Sequence, residues 1–209
     1  MHVSNAVFGH LCFSCESIPE VTELYSAHAD KVAWEAWPAS VHPRGGDLPE
    51  SRCGRKEEQV RAMLSAASFV VDAVRRARPL DPLRLVEFCG GSGYLALPLG
   101  CLFPELQVTL LDLKPQSVQR ARRRLRLSGL RNVEVRQQDV HTFDEPFDVG
   151  VSLHACGALS DVVLRLCVER RAAFVICPCC IGKVLFARSA PLSQRFAALL
   201  TPVSAERNI

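Results

Sequence analysis

The chain has 209 residues, 48% of them apolar, and a formal net charge of +3. That supply of apolar residues builds one domain with a full core and excludes wholesale disorder, while the weak positive charge permits a nucleic-acid partner without requiring one. No apolar run reaches the ~18–20 residues that cross a bilayer, and the start carries neither the basic stretch nor the long apolar run of a secretion signal, so the ten cysteines read as reduced thiols of a cytoplasmic, non-membrane protein and not as a disulfide framework.

Residues 1–50 show no regular period. Trp34, Trp37, Pro38 and the turn at 43–46 predict an irregular lead-in packed onto a domain that spans 51–209. Residues 55–78 predict a helix, because Val60, Met63, Leu64, Ala67, Val70, Val71 and Val74 recur at spacings of three and four and so form one apolar stripe. Pro79 and Pro82 end it. A short apolar strand at 84–89 runs into Gly90, Gly91, Ser92 and Gly93, and a helix follows from about 93 to 103. A second strand at 107–113 closes on Asp112. Pro115 opens a helix over 114–128, in which Val118, Ala121 and Leu125 face the sheet while Arg120, Arg122, Arg123, Arg124 and Arg126 crowd the rest as a solvated face; Gly129 ends it. The third strand is at 132–137 with Asp139 just past it. The fourth is at 147–153 with His154 at its exit. A helix over 157–170 turns Leu164 and Cys167 inward, a fifth strand at 172–177 runs into Pro178-Cys179-Cys180, and a last helix is expected at 191–200.

Strands alternating with helices predict an α/β fold, a parallel sheet with right-handed crossovers. Ligands of such sheets bind outside the carboxyl ends of the strands. Glu87, the glycines, Asp112, Asp139, His154 and the residues 177–180 all fall at those ends.

The glycine turn after the first strand brings a nucleotide-like ligand onto backbone N–H groups, since a side chain there would block close approach and some turn positions need positive φ. Glu87, just before the glycines, would repel a pyrophosphate and suits a ligand carrying positive charge, such as the amino group and sulfonium of S-adenosylmethionine. A dinucleotide site wants G-x-G-x-x-G, which this stretch lacks. Asp112, 22 residues after Gly90, can take both hydroxyls of a ribose; by itself it serves NAD or S-adenosylmethionine equally, or simply caps the following helix. Asp139 can accept from an adenine amino group, or can be a solvated loop acid. His154 can act as a base or orient a nucleophile, and Cys179 or Cys180 can be a ligand or a nucleophile. With His154 and Cys156 the cysteine run has the residue types of a zinc site, but C-x-C-C lacks the usual C-x-x-C spacing, and small cysteines often just pack; no metal is expected. The arginine-rich helix is more often a solvated face than an RNA groove.

The order E-F-C-G-G-S-G-Y, T-L-L-D-L-K and Q-Q-D-V resembles the class I S-adenosylmethionine-dependent methyltransferases. L-H-A-C-G at 153–157 with Asp161, C-P-C-C-I-G at 177–182, and the Arg55-Lys56 lead-in with Gln59 look like the methyltransferase half of the glutathione S-transferase C-terminal domain-containing proteins, over about residues 34 to 186. The resemblance implies a Rossmann-like sheet of strand order 3-2-1-4-5 and S-adenosylmethionine as cofactor, with Glu87, Cys89, Gly90, Gly91, Gly93, Asp112 and Asp139 around it and His154, Cys179 and Cys180 on the acceptor side. It departs in three places. Cys89 stands where the family's first glycine is usual. The transferase-like half that gives the relatives their name is absent. A class I sheet has two further strands, the sixth and seventh, and the chain stops soon after the fifth, which implies a short or incomplete form with an exposed sheet edge. The expected function is methyl transfer to an acceptor not disclosed by the sequence, RNA and protein being the candidates, by a chain expected to be monomeric. The alternatives are a non-catalytic binding module on the same fold, a cysteine-and-histidine metal protein and, more remotely, an NAD-dependent oxidoreductase.

Overall fold

The structure is a computed structural model, and it describes residues 32–79 and 82–178. Five strands, β1 (Arg84–Phe88), β2 (Gln107–Asp112), β3 (Val133–Gln137), β4 (Val149–Leu153) and β5 (Ala173–Cys177), form one parallel sheet in the order β3-β2-β1-β4-β5. β1 therefore lies at the centre, in register with β2 from Arg84↔Gln107 to Phe88↔Leu111 and with β4 from Leu85↔Val149 to Glu87↔Val151. All the described carboxyl ends lie on one edge, because every pairing in the sheet is parallel.

Among the described residues four helices cover the sheet: α1 (Glu50–Ala77), α2 (Ala96–Leu102), α3 (Pro115–Ser128) and α4 (Ala158–Glu169). Successive side chains of a strand point to opposite faces, and β1 divides accordingly. Leu85 joins a core with Val60, Leu64, Val71 of α1, Leu97 of α2 and Val118 of α3. Val86 and Phe88 join a second core with Val163 and Cys167 of α4. In that second core Phe88, Phe143 and Phe147 meet edge to face or tilted, with centroids 5.4–5.9 Å apart. Gly150 of β4 lets α4 approach closely, since a Cβ there would lie 2.5 Å from Cys167 Sγ. Residues 32–49 add Val32, Trp34 and Val41 to the first core through two short 3-10 turns, Trp34–Ala36 and Pro43–Gly46.

The structure differs from the sequence expectations at four points. α1 starts at Glu50, a turn and a half before the first residue expected, because Pro49 precedes it as its cap. α2 starts at Ala96, not near Gly93, because Gly91 and Gly93 take positive φ and keep the backbone out of a right-handed helix. On α4 the inward pair is Val163 and Cys167, an i,i+4 pair, while Leu164 turns out and is 37% exposed. On α3, Arg124 is not solvated at all; it is 3% exposed. The helix expected at 191–200 lies outside the described residues. No helix among the described residues is long and apolar enough to cross a membrane.

Candidate functional site

β1 ends at Phe88 and turns sharply. Cys89 has φ 57°, the left-handed region that a residue with a side chain rarely adopts, which is why a glycine is the natural occupant of this position. Gly90 follows in a space too tight for a side chain: a Cβ would lie 2.6 Å from Leu110 Cγ and 2.8 Å from Glu87 Oε2. Gly91 and Gly93 have φ of 58° and 78°, and a Cβ on Gly91 would enter open space with no atom within 4 Å. The loop is pinned to β2 from within. Gly90 N–H donates to the Leu111 carbonyl at 3.0 Å, and Gly91 N–H donates to Asp112 Oδ2 at 2.8 Å.

Glu87 sits behind this loop, 3% exposed. Its Oε2 accepts from the Ala96 N–H at 2.7 Å, satisfying one of the amides that the first turn of α2 leaves without an intrahelical partner. Burial pushes its pKa up to about 8, against the pull of the Ala96 amide and with a push from Asp112. An acid in this state gives up its proton readily when a cation comes near. The sequence located Glu87 at the strand exit; it did not show that one oxygen is already committed to α2.

Asp112, at the end of β2, also accepts from the Lys114 N–H through Oδ1 at 2.8 Å. Each carboxylate oxygen can accept again, so these backbone bonds orient Asp112 without exhausting it. Asp139 caps the 3-10 turn Val140–Thr142, accepting from the His141 N–H at 3.0 Å. Cys89, Asp112 and Asp139 meet with Leu111, Leu113 and Leu159 around a cleft of about 70 Å³. Leu113 and Leu159 are 59% and 37% exposed, so the rim is apolar while two carboxylates stand in it. Burial first, then Asp112, pushes the Cys89 thiol up to about 11, which keeps it from being a nucleophile at neutral pH.

The neighbouring strand pair makes a different site. His154, at the exit of β4, has φ 110°, and its N–H donates to the Cys177 carbonyl on β5 at 3.2 Å. Its Nε2 lies 2.5 Å from Lys56 Nζ of α1. An ammonium only donates, so Nε2 accepts and the ring proton resides on Nδ1. Lys56 also lies 5.5 Å over the Tyr94 ring. His154 as a whole is exposed, yet partial burial of its imidazole, and then the Lys56 ammonium, push its pKa down to about 4. Cys177 is half-buried and its thiol is pushed up by burial. Cys179 and Cys180 lie outside the described residues. Among the described residues no cluster of three or more His, Cys, Asp or Glu is placed to hold a metal ion.

Sequence reasoning missed the parts that join the lead-in to the site. Arg124 donates to the carbonyls of Ser40 at 2.8 Å, Val41 at 3.0 Å, His42 at 3.1 Å and Ser92 at 2.8 Å, and its guanidinium stacks 4.8 Å over Tyr94. The Tyr94 hydroxyl donates to the Gly46 carbonyl at 2.5 Å. One buried arginine thus ties residues 40–42 to Ser92 of the glycine loop. Burial lowers its pKa to about 10, so it stays cationic at neutral pH. One signal was available: position 124 is three residues after Ala121 and six after Val118, on the same inward stripe.

A family model described as "Methyltransferase domain" matches residues 55–185, more than half of the chain. The chain is 38% identical over 151 residues to a glutathione S-transferase C-terminal domain-containing protein of Macaca fascicularis, covering 72% of this chain and 23% of that one. Against the protein of the same name from Mus musculus the identity is 35% over 165 residues, covering 78% and 25%. The chain thus spans about a quarter of the length of these relatives. A ribosomal RNA small subunit methyltransferase G of Hydrogenovibrio crunogenus is 33% identical over 95 residues, covering 45% of this chain and 44% of that protein.

Proposed function

The chain belongs to the methyltransferase-domain family, and from that premise we propose that it binds S-adenosylmethionine at the carboxyl ends of β1, β2 and β3 and transfers the methyl group to a nucleophile presented beside β4 and β5. The observation that carries this reading is the loop after β1. Its left-handed residues 89, 91 and 93 turn an open, side-chain-free surface outward at Gly91 beside two carboxylates and an apolar rim. That donor-and-acceptor set suits an adenosine: Asp112 accepts from ribose hydroxyls, Asp139 accepts from the adenine amino group, and Leu113 and Leu159 flank the flat base. Glu87 supplies negative charge for an amino group or sulfonium. S-adenosylmethionine, when bound, supplies an electrophilic methyl on a positively charged sulfur.

The chain's own contribution is chiefly positioning. His154 is neutral at physiological pH and its Nε2 is held by Lys56. In that arrangement it offers an acceptor its Nδ1–H as a donor and does not serve as a general base. The acceptor class we propose is RNA or protein; the named activity of one relative on ribosomal RNA supports the first. Cys53, Cys89, Cys101, Cys167 and Cys177 are free thiols, which supports a cytoplasmic setting.

Calorimetric titration with S-adenosylmethionine, S-adenosylhomocysteine and NAD tests the reading. The first two should bind and NAD should not. Asp112→Ala should weaken binding at least tenfold, about 1.4 kcal/mol, by removing a charged acceptor. Binding of NAD, or unchanged affinity in a folded Asp112→Ala variant, would overturn the site. One observation favours a second reading, a module that binds without transferring: the cleft measures only about 70 Å³. Binding without loss of label from methyl-labelled cofactor, offered cellular RNA and protein, would select it.

A further inference from the structure

A second cleft lies between residues 39–47 and α3, larger than the first at about 230 Å³. None of its lining residues belongs to the cofactor cleft. Its basic wall is one face of α3: Arg120, Arg123 and Leu127 follow at i, i+3 and i+7, positions that share a helix side. Arg123 makes no hydrogen bond or ion pair among the described residues. Arg120 has only Asp47, at 3.8 Å, with side chains 54% and 57% exposed, a pair too long and too wet to hold it against a better anion. In the opposite wall the Ser40 Oγ is buried, with no hydrogen-bond partner among the described residues. That wall does not collapse, because Arg124 holds the carbonyls of Ser40, Val41 and His42. Leu127 is 66% exposed at the same face.

We propose that this cleft binds the phosphodiester backbone of single-stranded RNA, with Arg120 and Arg123 on the phosphates and Leu127 under a base. The planar guanidinium fork matches phosphate oxygens, and a bare apolar side chain beside it suits an unstacked base. Duplexes bury their bases against one another, so they would use only the arginines. Arg126, three residues beyond Arg123 and exposed, extends the basic edge for a second phosphate. The site does not depend on methyl transfer. It supplies a docking surface for the RNA acceptor where that reading holds, and an RNA-binding surface where it does not.

The test uses the full chain and a fluorescein-labelled 12-nucleotide single-stranded RNA, read by fluorescence anisotropy across a salt series. Arg120→Ala/Arg123→Ala should weaken binding at least tenfold and reduce the slope of log affinity against log salt by about 1.4, at ~0.7 per lost phosphate contact. Leu127→Asp should also weaken it, and S-adenosylmethionine titration of both variants should match the unaltered chain. Equal RNA affinity and slope in the arginine variant would overturn the proposal. So would competition by polyglutamate or a phosphopeptide as effective as unlabelled RNA at equal charge, which would make the cleft a general anion surface. RNA binding that is lost in the arginine variant, in a chain that binds no S-adenosylmethionine, would refute the methyltransferase reading and leave this one standing.

Discussion

The two halves of the sheet's carboxyl edge are built in different ways. At β1 and β2 the site is a backbone loop with the Glu87 and Asp112 carboxylates bonded to backbone amides. The glycine loop is fixed by strand register and by amides donating to Leu111 and Asp112, and β1 behind it is buried from Leu85 to Phe88. At β4 and β5 the site consists of side chains. β5 is only partly buried along its length, with Phe174 44% exposed, and His154 takes its setting from Lys56, 98 residues away. The cofactor site proposed above lies on the half that the backbone fixes. Among the described residues β5 is an edge strand of the sheet, and a side-chain site beside it can be retuned without disturbing the core, as the proposed acceptor side would require.

The largest effect that sharpens this contrast comes from Arg124. Replacing it with Met leaves the carbonyls of Ser40, Val41, His42 and Ser92 without their donor, and buried acceptors left unpaired are costly. Arg124→Met should lower unfolding free energy by about 3 kcal/mol, the upper end of the cost of an unpaired buried polar group, measured by urea titration, and should weaken S-adenosylmethionine binding because Ser92 lies in the loop. Arg124→Lys should not restore it, since one ammonium cannot serve four carbonyls from a planar fork. Gly90→Ala comes next. Its Cβ must push against Leu110 and Glu87, so a loss of about 1–3 kcal/mol is expected, together with loss of cofactor binding. If either variant is as stable as the unaltered chain, the backbone half is less rigid than its contacts imply.

These two residues mark what the sequence could and could not disclose. The glycine turn and the placement of Glu87, Asp112, Asp139 and His154 at strand exits were legible because each depends on local periodicity, and the sheet order was legible through the motifs that carry the family resemblance. Arg124 was read as one more solvated arginine because a charged type outweighed its position, three residues after the buried Ala121. Lys56 against His154 was not legible at all, since nothing in either neighbourhood encodes a contact between α1 and the end of β4. Leu164 was misplaced because most residues of α4 are apolar, with Val162, Val163 and Leu164 consecutive, so the inward stripe could be drawn through it or through Val163.

Glu87 tests the backbone half by pH. Its folded pKa of about 8 lies above the ordinary 4.5, so between those values the folded chain holds the proton more tightly than the unfolded one. Stability should therefore fall as pH rises through that window. Affinity for the positively charged cofactor should instead rise from pH 6 to pH 9, as the carboxyl ionises. Glu87→Gln keeps an acceptor for the Ala96 N–H but cannot ionise. It should flatten both trends and bind S-adenosylmethionine about tenfold more weakly at pH 9. A Glu87→Gln variant that keeps the original pH dependence of binding would remove Glu87 from the charge-complementary role.

The smallest effect probes the side-chain half. His154 has a folded pKa of about 4, below its ordinary 6.5, through partial burial and then the Lys56 ammonium. A histidine depressed in this way contributes stability above about pH 6.5 and loses it as pH falls towards 4, because the unfolded ring takes a proton more readily than the folded one. Lys56→Met removes the ammonium and leaves the burial. The His154 pKa should then rise part of the way back to 6.5, visible in the NMR titration of its Hε1 proton. At pH 8 the variant should be less stable by about 0.5 kcal/mol, because it has lost an exposed charge-assisted hydrogen bond. At pH 5 the difference should shrink or reverse, because the same change removes a repulsion against the protonated ring. A Lys56→Met variant with His154 still titrating near pH 4 would mean that burial alone sets the ring's state. The β4–β5 half would then be as fixed as the glycine loop, and the contrast between the two halves would fail.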